Sequence, residues 1–93
     1  MMTLDQFKAA RKVLEGVLHR TDLIYSPSFS KATGNQVYLK PENMQVTGAY
    51  KIRGAYFKIS TLTEEQKAKG LITASAGNHA QGVAYAAQAA GVS

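Results

Sequence analysis

Two short runs hold the residues best able to do chemistry. Lys51 sits in Thr47-Gly48-Ala49-Tyr50-Lys51-Ile52-Arg53-Gly54, and a second run reads Ser75-Ala76-Gly77-Asn78-His79. A lysine amine can attack a carbonyl carbon or remove a proton, but only when neutral. An ordinary lysine titrates at about 10.4, so deprotonating it at pH 7 costs about 4.6 kcal/mol. The amino end of a helix contributes about 0.3–1 kcal/mol toward this, or about 2 when partly buried. Burial must supply the remainder. Tyr50 and Ile52 offer apolar bulk beside Lys51, and Arg53 adds a like charge that disfavours the ammonium. Gly48 and Gly54 permit a flat ring or another backbone to approach closely. On these residues alone, an exposed lysine opening a basic helix is the commoner outcome.

The second run lies between an apolar segment and a helical pattern, so its backbone N–H groups are expected to converge on one point at a helix amino end, a setting for an anion. Gly77 and Gly82 imitate the glycine spacing of a nucleotide-phosphate loop. Val83-Ala84 stands where that loop needs Lys and Ser/Thr, and no Gly-x-Gly-x-x-Gly is present, so nucleotide hydrolysis and dinucleotide binding are not expected. Ser75 and Asn78 would serve equally well as simple helix caps, with Gly82 only easing helix–sheet packing. His79 and His19 are the only histidines, so zinc-ligand spacing is absent.

These runs need elements to position them. Thr3 followed by Leu4, Phe7, Ala10, Val13 and Leu14 predicts an N-capped amphipathic helix ending near Gly16. Leu23-Ile24-Tyr25 is β-prone. Ser26-Pro27 opens a short helix over 28–32, and Thr33-Gly34-Asn35 makes a turn. Val37 to Lys40 reads as a strand closed by Pro41, with a loop over 42–48. Lys51 opens a helix whose Ile52, Ala55, Tyr56 and Ile59 share a face, and Thr63-Glu64-Glu65 begins another. Leu71-Ile72-Thr73-Ala74 is a short apolar strand, and 80–90 form an alanine-rich helix ending at Gly91. Strand, tight loop and helix together predict an α/β fold with a parallel sheet and flanking helices. The crossover should return into another strand at Val92-Ser93, so the sheet is expected to be incomplete and residues 1–93 to form one part of a larger domain.

Composition narrows the classes. With 93 residues and 45% hydrophobic content, a modest core is possible. Eleven Lys and Arg against six acids give +5 and a pI near 9.6, yet the basic residues are dispersed and no aromatic-laced Arg cluster exists, so nucleic acid is not the expected partner. No cysteine is present, which removes disulfides, thiolate metal sites and cysteine nucleophiles. The start shows no signal-peptide pattern and no stretch approaches the ~20 apolar residues needed to span a bilayer, which makes a cytoplasmic location the default.

From Val37 through Pro41-Glu42-Asn43 and Thr47-Gly48-Ala49-Tyr50-Lys51-Ile52-Arg53-Gly54 to Ala55, the chain resembles the cofactor-lysine segment of the fold type II (tryptophan-synthase-β-like) pyridoxal-phosphate enzymes. Among them it looks most like the threonine dehydratases. Ser75 through Gly82 resembles the same family's second element, Ser-Ser/Ala-Gly-Asn-His followed by Ala/Gly-Gln-Gly/Ala, and the two occur in the family's order. The resemblance implies that Lys51 carries pyridoxal 5'-phosphate covalently, that Tyr50 lies beside its ring and that Asn78 hydrogen-bonds the ring hydroxyl. It also implies that Ser75, Ala76, Gly77, Asn78 and His79 hold the substrate carboxylate.

The implied activity is an ammonia-lyase reaction on L-threonine or L-serine, as in isoleucine biosynthesis, by a protein that is homo-oligomeric when complete. The family's phosphate-binding loop and the residue facing its pyridine nitrogen have no match here, so the isolated chain is expected to be inactive. Serine racemases carry Ser where this chain has Ala76, many relatives have Ser at Ala49, and Asp22 stands where Thr-Pro-Leu is usual. The rival readings are a serine racemase, a serine dehydratase or a threonine synthase and, in a different class, a noncatalytic anion- or nucleic-acid-binding module.

Overall fold

The computed structural model describes all 93 residues. Helix α1, Leu4–Leu14, starts at a reciprocal cap: the Thr3 hydroxyl accepts from the Gln6 N–H, and the Gln6 side chain accepts from the Thr3 N–H at 2.7 Å. Gly16, at φ 80°, turns the chain away after the helix, as expected. The apolar stripe foreseen for α1 is present but not buried. Leu4, Phe7 and Val13 are exposed, and no residue of the helix is buried.

Strands β1, Ile24–Tyr25, and β2, Tyr38–Leu39, pair antiparallel, with Ile24 opposite Leu39 and Tyr25 opposite Tyr38. The two tyrosine rings meet edge-on at 5.5 Å. Between the strands runs α2, Pro27–Thr33, with Ser26 accepting from the Phe29 N–H, Pro27 in the first turn and Gly34 closing the helix at φ 71°. Ser26→Ala removes this cap from a 9%-exposed position. It is expected to destabilise the complete protein by about 1 kcal/mol, read as a lower denaturant midpoint at unchanged slope.

A 3-10 turn at Glu42–Met44 falls inside the expected loop. Helix α3, Lys51–Ser60, follows, then the short α4, Glu64–Ala68, with a second reciprocal cap at Thr63 and Gln66. Helix α5, Asn78–Ala90, closes on Gly91 in the left-handed region. It begins two residues earlier than the alanine pattern suggests, taking in Asn78 and His79, because Gly77 is the residue that leaves the helical path.

Two expectations about strands need correction. Leu71–Ala74 runs without a ladder, and the only regular ladder is the antiparallel pair β1–β2. A strand exists through its partner's hydrogen bonds, and here only Ser93 reaches it, its carbonyl accepting from the Leu71 N–H at 2.8 Å.

The core is the crossing of α3 and α5. Ile52, Ala55 and Ile59, foreseen as one face, are buried against Ala86 and Ala87, and Tyr56 is half-buried beside them. Ile52 and Ala86 are fully enclosed. Small residues on α5 let the two helices approach closely, so the first turn of α3 is held by the body of α5.

Candidate active site

Lys51 is the first residue of α3, capped by Tyr50 without a side-chain hydrogen bond. Its Nζ stands 5.2 Å from the centre of the Tyr50 ring, a cation–π contact, and makes no ion pair or hydrogen bond. The burial expected around this amine is not supplied by these residues: Lys51 is exposed, and Tyr50 is 60% exposed. Gly48 turns the preceding loop at φ 73°.

Arg53 also differs from expectation. Its guanidinium does not stand as a free like charge beside Lys51, because Nε and Nη2 donate to Glu42 Oε1 at 3.0 and 2.7 Å. Thr21, 5% exposed, donates its hydroxyl to the same oxygen at 2.9 Å. Gln45, 4% exposed, donates to the His19 carbonyl and accepts from the His19 N–H, both at 2.9 Å. Lys40 donates to the Thr21 carbonyl. Burial opposes the Glu42 charge, but the hydrogen bonds from Arg53 and Thr21, the Arg53 charge and the Gln45 amide outweigh it. They hold the carboxyl below its ordinary range. This network joins the loop at 19–21, the 3-10 turn and the first turn of α3. The one-dimensional pattern shows charges here and not their pairing, so the sequence offered no signal for it beyond the match at Glu42 and Arg53. Asp22 pairs with Arg20 at 2.9 Å on the open surface.

The second run lies across from Lys51 by way of α5. Ser75 and Ala76 are exposed in the loop, and the Ser75 hydroxyl accepts from the Gly77 N–H at 3.1 Å. Ser75 thus closes a local turn and does not cap the helix. Gly77 is the N-cap with no side-chain bond, and Asn78 and His79, both exposed, are the first two helical residues. The opening amides of α5 therefore have no side-chain acceptor, and the helix dipole lies behind them.

Asn78 stands one turn before Gly82, on the row of α5 that continues to buried Ala86. Gly82 packs against the backbone of Lys51 and Ile52, not against a sheet. The two runs are thereby tied together by one helix crossing. No group of three or more His, Cys, Asp and Glu residues suits a metal ion.

A lysine at the head of one helix, an aromatic ring beside it and an uncapped amino end on the crossing helix form the layout of a fold type II pyridoxal-phosphate enzyme. Residues 14–93 match the family described as pyridoxal-phosphate dependent enzyme, and the chain belongs to it. It is 55% identical over 92 residues to the L-threonine ammonia-lyase of Thermotoga maritima, covering 99% of this chain and 23% of that protein. It is 50% identical over 93 residues to the catabolic L-threonine dehydratase TdcB of Staphylococcus aureus, covering 99% of this chain and 27% of that one. Among solved structures, serine racemase from Dictyostelium discoideum superposes with a TM-score of 0.89 at 38% identity, over 98% of this chain and 30% of that one. A T.th. threonine deaminase gives 0.82 at 43% identity, over 98% and 32%. The chain spans about a quarter of the length of the curated relatives it matches.

The family's cofactor is pyridoxal phosphate, and the residues here suit it: an accessible, unpaired amine, an exposed aromatic face beside it, and an uncapped helix end able to receive an anionic group.

Proposed function

We propose that residues 1–93 form the amino-terminal part of one catalytic domain in an L-threonine ammonia-lyase that also accepts L-serine. The observation that carries this reading is the 55% identity to an L-threonine ammonia-lyase across 99% of the chain, with both chemical runs included. When bound, pyridoxal phosphate supplies a conjugated ring able to accept the electron pair left at the α-carbon. The amine of Lys51 carries the cofactor and serves as the general base that takes the α-proton. Tyr50, whose ring stands beside the Lys51 amine, would flank the cofactor, and Asn78 at the head of α5 would hold it through its ring hydroxyl. Ser75, Ala76, Gly77, Asn78 and His79 hold the substrate carboxylate at the α5 amino end, which orients the α-hydrogen toward Lys51. Water leaves from the β-carbon and is regained on hydrolysis, giving a 2-oxo acid and ammonia.

The serine racemase reading draws support from the 0.89 superposition, but that fold is common to both activities. Ala76 favours the lyase: a methyl group cannot donate or accept a proton on the second face of the substrate. The complete protein given L-threonine should release 2-oxo acid and ammonia in equal amounts, and L-serine should yield no D-serine on chiral chromatography. D-serine as the main product would overturn the lyase assignment.

We further place the enzyme in the cytoplasm as a homo-oligomer feeding isoleucine synthesis. The catabolic name of the Staphylococcus relative supports a degradative role as the second choice. No helix is long and apolar enough to cross a membrane, and ion pairs at Arg20, Arg53, Lys67 and Lys69 break up the basic surface, which argues against a nucleic-acid partner. The isolated 93-residue chain should show no turnover.

A further inference from the structure

At Gly82 the body of α5 meets the first turn of α3 backbone to backbone. A methyl group built at Gly82 would lie 3.1 Å from the Ile52 nitrogen, 3.2 Å from the Lys51 carbonyl carbon and 3.3 Å from the Ile52 α-carbon. These atoms are not the movable tip of a side chain. Ile52 is 0% exposed, so the helix backbone itself must yield by a few tenths of an ångström. The atoms displaced belong to Lys51 and its neighbour. Gly54, Gly77 and Gly91 have nothing within 4 Å of such a methyl, and the one at Gly70 would meet the Ser93 carbonyl oxygen at 3.2 Å, so among the glycines only Gly82 presses on the backbone of Lys51.

We propose that Gly82 is a positioning residue, whose lack of a side chain sets the distance between Lys51 and the Asn78–His79 end of α5. The inference rests on the role of Lys51 proposed above and adds the device that aligns it. One turn separates Gly82 from Asn78 on the same helical row, so a shift of α3 against Gly82 is also a shift of the amine against the carboxylate-binding loop. Reaction rates are far more sensitive to such displacements than stability is. Helix propensity favours alanine over glycine at this interior position, which offsets part of the packing strain and separates the two effects.

The test uses the complete protein loaded with pyridoxal phosphate. Gly82→Ala should keep the cofactor on Lys51 in borohydride trapping, melt close to the parent, and lose kcat for L-threonine by about 100-fold with little change in KM. Val83→Ala, on the same helix and packed on the same core, should lower the melting temperature more and leave kcat within about threefold. Parental kcat in Gly82→Ala, or an equal loss in Val83→Ala, would overturn the positioning role. Should Gly82→Ala not fold, Ala86→Ser, a smaller widening one turn along the crossing, takes its place with an expected loss of about tenfold. Parental kcat there would count against the inference in the same way.

A readout independent of turnover separates the two layers of the reading. Gly82→Ala should shift the visible absorption band of the bound cofactor and speed its release, whichever amino acid the complete protein acts on. An unchanged band and release rate with the label on Lys51 would reject the role of Gly82 alone. A label on another lysine in the parent would reject both.

Discussion

Lys51→Ala in the complete protein is expected to lower turnover of L-threonine by at least about 1,000-fold, equivalent to about 4 kcal/mol of transition-state stabilisation. The general base and the covalent anchor of the cofactor are lost together, and no other lysine lies in α3's first turn. Borohydride trapping followed by peptide mapping should place the label on the peptide containing Lys51 in the parent and on none in the variant. Lys51→Arg should fail as completely, because a guanidinium is neither a usable nucleophile nor a base near neutrality. Lys58→Ala, which alters an exposed lysine two turns further along α3, should retain parental rate. Turnover within tenfold of the parent in Lys51→Ala, or a label that stays in place, would move the chemistry to another residue.

Arg53→Leu should cost about 2 kcal/mol of stability, measured by denaturant unfolding of the complete protein. The Glu42 side chain is 16% exposed and the Arg53 side chain 34%, so the pair lies between a surface bridge and a buried one. Removing Arg53 takes two donors from Glu42 Oε1 and leaves the Thr21 hydroxyl and a 3.5 Å bond from the Gln45 amide to satisfy a carboxylate with little access to water. The double variant Arg53→Leu/Glu42→Leu should recover part of the loss, since no unpaired charge then remains. Equal or greater loss in the double variant would show that the pair acts through shape and not charge.

Glu42 also dictates a pH dependence. Its folded pKa is depressed, so its stabilisation is present above the ordinary carboxylate range and disappears as pH falls through the lowered value. Glu42→Gln should therefore flatten the acid side of the stability profile below about pH 4.3 while leaving the alkaline side unchanged. An acid limb identical to the parent's would assign that loss of stability to other carboxylates.

Features decided by neighbouring residues were legible in the chain. Thr3 caps its helix as expected, and Ser26 and Thr63, where helices were expected to start, also cap theirs, because a cap needs only a side chain and the amides within three residues of it. The buried face of α3 follows from its helical period. Leu71–Ala74 has strand composition but no ladder, since strand formation depends on residues distant in sequence. The Thr21–Glu42–Arg53 network escaped the same reading because its members come from three separate segments, and their spacing carries no period.

Which residues could do the chemistry was therefore set by the sequence itself: an amine at Lys51, an aromatic ring at Tyr50, and a Ser75–His79 run leading into a helix. Their arrangement was decided by the tertiary structure. Arg53 turns to Glu42 instead of Lys51, Ser75 closes its own turn, and Gly82 rests on the backbone of Lys51. The reason is steric and electrostatic. How closely two helices cross depends on volumes meeting across space, and where a charge goes depends on which counter-charge the fold brings within reach; neither is written in local spacing.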